Sequence, residues 1–375
     1  MERNVSENTT DAFMGRALGL ARLAVGLSEP NPRVGCVLVA ADGVTILGEG
    51  HTQVRGGPHA EVMALRDAAA AGRAVAGATA YVTLEPCSHQ GRTGPCCDAL
   101  AAAGIGRVVA ALEDPNPLVA GAGFARLRAA GIEVVTGPGA AESRELNIGF
   151  FSRMQRGRPW VRLKVAASLD GTTALENGAS KWITSPAARA DGHAWRARAG
   201  AVLTGIGTVL EDDPRLDVRE VAATRQPMLV VVDSRLQLPV SATLLRVPDR
   251  AVLVYGAHED AGRAGPLRDR GAEVVLMPGP NGKVDLAALL RDLAAREINE
   301  LHVEAGHKLN ASLLREGLVD EMLLYVAPLL LGPGRPLADL APLADLRQAQ
   351  AFDFQEATRV GPDLRLRARR RPAPA

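Results

Sequence analysis

Two short stretches in the first third of the chain carry residue types at spacings that can do chemistry. The segment "LEPCSHQGRTGPCCDAL" (84–100) sets Cys87, Cys96 and Cys97 around a turn-rich loop, and "PHAEV" puts His59 two residues ahead of Glu61. A strand, "YVTLEP", delivers Cys87 at its C-terminal end. The next helix opens at Pro95 with Cys96 in its first turn, where the helix dipole favours thiolate, the form that a metal binds. "HAEV" begins another helix, and in an open α/β sheet such helix starts open onto one crevice. One imidazole and two thiolates make three protein ligands, which for zinc is the catalytic arrangement because a fourth position stays open for water. Cys97 competes with Cys96: successive helical residues point roughly 100° apart, so only one of them faces the metal. Cys36, inside the apolar run "RVGCVLVA", reads as core.

Other uses of these residues fit less well. Four cysteines in 375 residues are too sparse for a disulfide framework. The N-terminus carries Glu2, Glu7 and Asp11 where a signal peptide would be basic and then apolar, so reduced thiols in a cytoplasmic protein are expected. No apolar run approaches the roughly 20 residues that cross a bilayer. A finger-type zinc site needs paired ligand knuckles, and no second His/Cys pair stands at usable spacing. The pattern H-x-E followed by P-C-x-x-C is the signature of zinc-dependent base deaminases, with the glutamate as proton shuttle. His59-Ala60-Glu61 and Pro86-Cys87 fit it, but eight residues separate Cys87 from Cys96. The net charge of +1, from 43 basic and 42 acidic residues, gives no field to hold a nucleic acid, and 3% aromatics leave few stacking platforms. A small-molecule substrate is expected.

The elements that must position these residues alternate between helix and strand. "TTDAFMGRALGLARLAVG" spaces apolar residues as a helix; "RVGCVLVA" and "VTILGEGH" read as strands, "HAEVMALRDAAAAG" as a helix, "ATAYVTLEP" as a strand, "PCCDALAAAG" as a helix and "RVVAAL" as a strand. "VAGAGFARLRAAGIEVVTG" adds a helix and a strand, and "AAESRELNIGFFSRM" one further helix. The polar stretch "QRGRP" marks a boundary, giving two α/β domains at 1–152 and 158–375. The second restarts with "WVRLKVAASLDG". It continues through the helix "SPAARADGHAWRARA", the strands "AVLTG", "PMLVVVDS", "AVLVYG" and "AEVVLMP", and the helix "DLAALLRDLAAREIN". The strand "ELHVEAG", the helix "NASLLREGL" and the strands "DEMLLYVAP" and "DLRLRARR" close it. The basic tail "RARRRPAPA" reads as a frayed, solvated terminus. "TGIGTV" offers Gly205 and Gly207, yet Leu210 stands where a dinucleotide fingerprint needs its third glycine, so this is no Rossmann motif. "LHVEAG", with Gly306 opening a helix, can instead hold a phosphate on backbone N–H groups.

Taken together, "PNPRVGCVLV", "HAE", "YVTLEPCSHQGRTGPCC" and "DPNPLVAGAG" resemble the deaminase half of the bifunctional riboflavin-biosynthesis deaminase/reductase family, in which the longer cysteine loop is usual. "LKVAASLDG", "SKWITS", "TGIGTVLEDDPRL" and "VEAG" resemble its reductase half, so the likeness spans the chain. It implies an N-terminal cytidine-deaminase-like three-layer domain followed by a dihydrofolate-reductase-like α/β domain, with Zn2+ and NADPH as cofactors. The implied reaction is deamination of 2,5-diamino-6-ribosylamino-4(3H)-pyrimidinone 5′-phosphate, with zinc on His59, Cys87 and Cys96 and Glu61 moving the proton, then reduction of the ribosyl chain. The likeness selects Cys96 over Cys97. It implies pyrimidine or phosphate contacts at Asn31, His51 and Arg92, although Asn31 between two prolines equally suits a turn. It implies NADPH contacts at Trp182, Thr208, Asp212, Ser234 and the segment Gly306, His307, Lys308, Leu309, Asn310, Ala311 and Ser312. Substrate contacts follow at Ser180, Arg196, Leu216, Arg219 and Glu304. The two arginines suit a ribose phosphate, since a guanidinium binds its oxygens bidentately. Lys164 is the candidate reductase proton donor, and a homo-oligomer, dimer or tetramer, is expected. Two rival readings are a nucleobase or nucleic-acid deaminase with an accessory domain, which the near-zero charge disfavours, and a zinc-stapled binding protein, which Glu61 beside His59 disfavours.

Overall fold

The computed structural model describes residues 2–90 and 94–371, with side chains from residue 10 onward. Arg92 and the last four residues of the basic tail lie outside the described residues. The chain divides into two compact units, Met1–Gly157 and Arg158–Ala375.

The first unit is built from α1 (Glu2–Arg22), β1 (Gly35–Val39), β2 (Ile46–His51), α2 (Ala60–Ala70), β3 (Thr79–Val82), α3 (Cys96–Ala102), β4 (Arg107–Ala110), α4 (Ala122–Ala129), β5 (Glu133–Thr136), α5 (Ala140–Leu146) and α6 (Ile148–Arg156). Its sheet runs β2-β1-β3-β4-β5, with β1 antiparallel to both neighbours and β3, β4 and β5 parallel. Strand alternation sorts the core into two layers. Cys36 and Leu38 join Ala60, Ala64, Ala68 and Leu100 on one face. Val37 and Val39 meet Met14, Ala17 and Leu18 of α1 on the other. Helix α2 lies directly on β2: a Cβ at Gly48 would stand 2.2 Å from the Ala64 carbonyl oxygen, so only glycine admits this approach.

Two sequence expectations change here. The strand "ATAYVTLEP" stops at Val82, and the Thr83 carbonyl beyond it accepts the Ser143 hydroxyl. The single helix over "AAESRELNIGFFSRM" is two, broken at Asn147. The Asn147 side chain accepts the Arg33 N–H at 2.7 Å and donates to the Arg33 carbonyl at 3.0 Å, fastening the turn before β1.

The second unit comprises β6 (Trp160–Ser168), β7 (Thr172–Leu175), α7 (Pro186–Arg198), β8 (Ala201–Gly205), α8 (Ile206–Asp212), β9 (Met228–Val232), β10 (Val252–Gly256), α9 (Ala261–Asp269), β11 (Ala272–Leu276), α10 (Leu286–Ala295), β12 (Glu300–Val303), α11 (His307–Arg315), β13 (Glu321–Ala327), β14 (Gly334–Pro336), β15 (Phe352–Val360) and β16 (Asp363–Arg370). Nine strands form one sheet in the order β11-β10-β9-β8-β12-β6-β13-β16-β15. The seven from β11 to β13 are parallel, and β16 and β15 are antiparallel. From β8 the chain steps outward to β11 and returns as β12 on the other side of β8, so a crevice opens at the carboxyl ends of β8, β9 and β12.

The first arginines of the basic tail are not solvated as expected. Arg367 and Arg369 lie within β16 and bind Glu321, 3.1 Å away in each case. The fully buried Arg162 completes the cluster, 2.7 Å from Glu321 and 2.9 Å from Glu300. Among the described residues no helix is long and apolar enough to cross a membrane.

Candidate metal centre and nucleotide cleft

In the first unit, His59 is the extended N-cap residue of α2, and Glu61 stands in that helix's first turn. Cys87 follows the end of β3, and Cys96 begins α3. These elements bring the donor atoms of His59, Cys87 and Cys96 within 4.8 Å of one another. His59 Nδ1 is 3.6 Å from Cys87 Sγ and 3.4 Å from Cys96 Sγ. Tetrahedral zinc at ordinary bond lengths sets sulfur and nitrogen about 3.6 Å apart, so the trio fits that ion.

The electrostatics point the same way. The Cys96 thiol, hydrogen-bonded to Cys87, holds the Cys87 thiol well below its usual range, while the same bond and burial drive Cys96 upward. Two sulfurs and an imidazole facing one point make a soft donor set of the kind that zinc takes. A hydrogen bond to the Cys87 sulfur raises His59. Glu61 is 3% exposed; burial, reinforced by the charge on Cys87, pushes it up to about 7. Cys97 faces away, its Sγ 3.1 Å from the Pro86 carbonyl and within the core, and Cys36 is core as well.

Of the expected substrate contacts, Asn31 occupies the turn before β1, its N–H donating to Ser28 O at 2.8 Å. His51 ends β2 opposite Gly35, and burial lowers its pKa. Sequence reasoning missed Glu85 and Arg33, both buried. An acidic residue between an apolar strand and Pro86 was a signal for the first.

In the second unit a cleft of about 1150 Å³ opens at the carboxyl ends of β8, β9 and β12. Thr208, Ser234, Gly306, His307, Lys308, Leu309 and Ser312 line it. Gly306 caps α11 in an extended conformation with no side-chain cap, leaving first-turn N–H groups for an anion. The cleft's volume and its helix start without a side-chain cap suit a dinucleotide. Asn310 and Ala311 turn inward instead: Asn310 is 3% exposed and donates to Leu337 O, and Ala311 is core. Trp182 is 65% exposed, with the Arg189 guanidinium 4.5 Å above its ring. Asp212 receives Lys181 at 3.4 Å, and Ser180 immediately precedes that lysine.

A charged cluster stands at the end of β12. Helix α7 begins at Pro186 behind the Ser185 cap and carries Arg196 in its last turn. Arg196 grips Glu304 with two nitrogens and donates to Asp217 O at 3.0 Å. Lys164 Nζ is 3.7 Å and His302 Nε2 3.4 Å from Glu304. Burial works to raise Glu304, but Arg196, then Lys164 and His302, overcome it and hold the carboxylate well below its usual range. Burial lowers Lys164 against the pull of Glu304. The fork of Arg196 is thus spent on a carboxylate rather than left open for phosphate. Arg219 is the more exposed arginine, with one nitrogen on Asp217. Leu216 is buried in the core, with φ +50°. Asp217 was not anticipated from sequence, since nothing in "RLDVR" distinguishes it.

Two family descriptions match the chain: "Cytidine and deoxycytidylate deaminase zinc-binding region" over residues 7–112 and "RibD C-terminal domain" over 159–366. The riboflavin biosynthesis protein RibD of Escherichia coli is 46% identical over 365 residues, covering 94% of this chain and 97% of that protein. That of Aquifex aeolicus is 41% identical, covering 97% and 98%. Among solved structures, Acinetobacter baumannii RibD (form 1) superposes with a TM-score of 0.88 at 42% identity, covering 97% and 99%. The Thermotoga maritima diaminohydroxyphosphoribosylaminopyrimidine deaminase/5-amino-6-(5-phosphoribosylamino)uracil reductase superposes with a TM-score of 0.87 at 33% identity and the same coverage.

Proposed function

The chain belongs to the RibD family of bifunctional riboflavin-biosynthesis enzymes, a zinc-dependent deaminase joined to an NADPH-dependent reductase, and on that premise we propose how its residues divide the work. Residues 1–152 deaminate 2,5-diamino-6-ribosylamino-4(3H)-pyrimidinone 5′-phosphate, and residues 158–375 reduce its ribosyl chain to give 5-amino-6-(5-phosphoribitylamino)uracil. His59, Cys87 and Cys96 hold the zinc. When bound, zinc supplies the Lewis acidity that makes water nucleophilic at neutral pH. Glu61 accepts the proton of the attacking water at its carboxylate and delivers it to the departing amino nitrogen. Asn31, His51 and Arg92 hold the pyrimidine and its phosphate.

In the reductase, NADPH supplies the hydride. The N–H groups opening α11 hold its phosphates, with Trp182, Thr208, Asp212, Ser234 and the segment 306–312 around it; Asn310 and Ala311 act through backbone alone. Arg196 and Lys164 keep Glu304 ionised, so that its oxygens accept hydrogen bonds from ribose hydroxyls. Lys164 gives up a proton to the ribose oxygen as hydride arrives. Arg219 takes the 5-phosphate, with Ser180 and the Leu216 backbone completing the pocket. The enzyme works in the cytoplasm, where its thiols stay reduced, as a homo-oligomer, and its partner is a small phosphorylated pyrimidine rather than a nucleic acid.

The observation that carries this reading is Glu61, buried in the first turn of α2 beside the His59, Cys87 and Cys96 donors. The purified protein is to be given the diaminopyrimidine phosphate with and without NADPH. Ammonia release in both cases, with NADPH oxidation following, is the expected result; absence of both signals overturns it.

A further inference from the structure

Glu85 lies two residues before Cys87 and is 4% exposed. Its carboxylate accepts four backbone hydrogen bonds. Oε2 takes the N–H groups of Asp114 at 3.1 Å and Gly121 at 3.0 Å. Oε1 takes those of Gly123 at 2.8 Å and Phe124 at 3.1 Å. Gly121 is the N-cap of α4 and offers no side-chain cap of its own. Glu85 therefore caps α4 from the far side of a loop, meeting the unpaired donors and the positive end of the dipole with an acceptor-only group.

Helix α4 is in turn fastened to both segments that carry the sulfur donors. The Cys97 thiol is 3.1 Å from the Pro86 carbonyl and 3.5 Å from that of Gly123. Arg126 reaches Ser88 O at 3.0 Å and pairs with Asp98 in the first turn of α3 at 2.7 Å. At Gly123 a Cβ would stand 2.1 Å from Pro86 O, so this contact admits only glycine. The Cys87 turn, the start of α3 and the start of α4 thus close into one ring, and Glu85 is the group that joins its ends.

We propose that Glu85 is a positioning residue of the metal centre, fixing the separation of the Cys87 and Cys96 sulfurs by capping α4. The proposal rests on the reading that these thiols hold zinc. Glu85→Gln is nearly isosteric, yet turns an NH2 donor toward two N–H donors.

The test uses the zinc-loaded full chain and its cobalt-substituted form. Glu85→Gln is expected to release zinc to a chelator roughly 10- to 100-fold faster than the parent and to shift the cobalt–thiolate absorption. Leu127→Ala, which loosens α4 from the core without touching the Glu85 hydrogen bonds, should lower the melting temperature and leave the absorption in place. If Glu85→Gln does not accumulate folded, Glu85→Asp, one methylene too short to reach both donor pairs, carries the same comparison. Parental zinc release and an unshifted spectrum in the Glu85 variant overturn the proposal, as does an identical shift in Leu127→Ala. Zinc retained by Cys87→Ala would instead overturn the ligand assignment beneath it.

Discussion

The metal centre and the reductase cleft solve the problem of gathering reactive groups in opposite ways. The first takes its donors from chain between His59 and Cys96, two at the start of a helix and Cys87 in the loop after β3. The second takes its groups from β6, α7 and β12, and from the loops after β8 and β9, spread across a nine-stranded sheet. Their charge differs too. Burial and the neighbouring Cys87 hold the Cys96 thiol high, so a bound cation is what would favour two thiolates, whereas Glu304 is already neutralised by Arg196 and Lys164. One site is completed by its ligand, and the other is organised beforehand by protein charge.

The sharpest way to break this contrast is to remove a sulfur. Cys87→Ala and Cys96→Ala are expected to lose zinc by metal analysis, with ammonia release falling by roughly 10³-fold or more. NADPH oxidation with the deaminated substrate should stay within about twofold, as independent sites do. Cys97→Ala, which touches core and backbone carbonyls alone, should keep its zinc. If the Cys97 variant loses metal and the Cys96 variant keeps it, the donor set is wrong. Next in size is Glu61→Gln. It retains all three donors and the zinc, but lacks the proton acceptor, so ammonia release should drop by roughly 10²-fold or more. Equal loss of NADPH oxidation in that variant would show that the two activities share groups.

The same contrast governs how much the sequence discloses. Histidine and cysteine are rare here, and helix starts at His59 and Pro95 follow from local signals, so a three-donor centre was legible from the residues, while the choice of Cys96 over Cys97 came from the resemblance. Arginines and glutamates are common, and nothing local tells that Arg196 and Glu304 meet; that contact depends on α7 and β12 lying together in three dimensions. Arg196 accordingly read as a phosphate ligand, when its fork is taken by a buried carboxylate. Edge strand β15, "FDFQEATRV", went unread because its partly exposed face carries polar residues, leaving no apolar run. The tail arginines read as solvated for a related reason: the burial of Glu321 that draws them in is a tertiary fact.

Arg196→Ala tests the charge argument from the reductase side. It leaves buried Glu304 with Lys164 and His302 as partial compensation, so the loss stays below the roughly 3–5 kcal/mol of a fully broken buried pair. NADPH oxidation is expected to fall by roughly 10²-fold while ammonia release is unchanged. Arg196→Lys, which keeps the charge but loses the bidentate fork, should recover only part of the rate. Full activity in the alanine variant would mean that Glu304 needs no counter-charge.

The smallest effect is expected in acid, and it concerns stability rather than turnover. Burial works to raise Glu321, but Arg162 and Arg367 outweigh it and hold the carboxylate down to about 2, against an ordinary 4.5. A carboxylate lowered in the folded state contributes stability that is complete above the unfolded value, near 4.5, and is lost as pH falls toward 2. At about 1.4 kcal/mol per pH unit, this is on the order of 3 kcal/mol. The three tryptophans, Trp160, Trp182 and Trp195, all belong to the unit Arg158–Ala375, so their fluorescence reads that unit alone. Urea midpoints followed by fluorescence should be flat in this contribution above about pH 5 and fall steadily below it. Glu321→Gln should start lower, because Arg162 loses one of its two carboxylate partners and keeps Glu300, and should fall less steeply with acid. Parallel slopes in the two proteins would show that Glu321 titrates alike folded and unfolded. The buried arginine cluster would then add no pH-dependent stability, and the charge organisation that distinguishes the second unit would be confined to its active site.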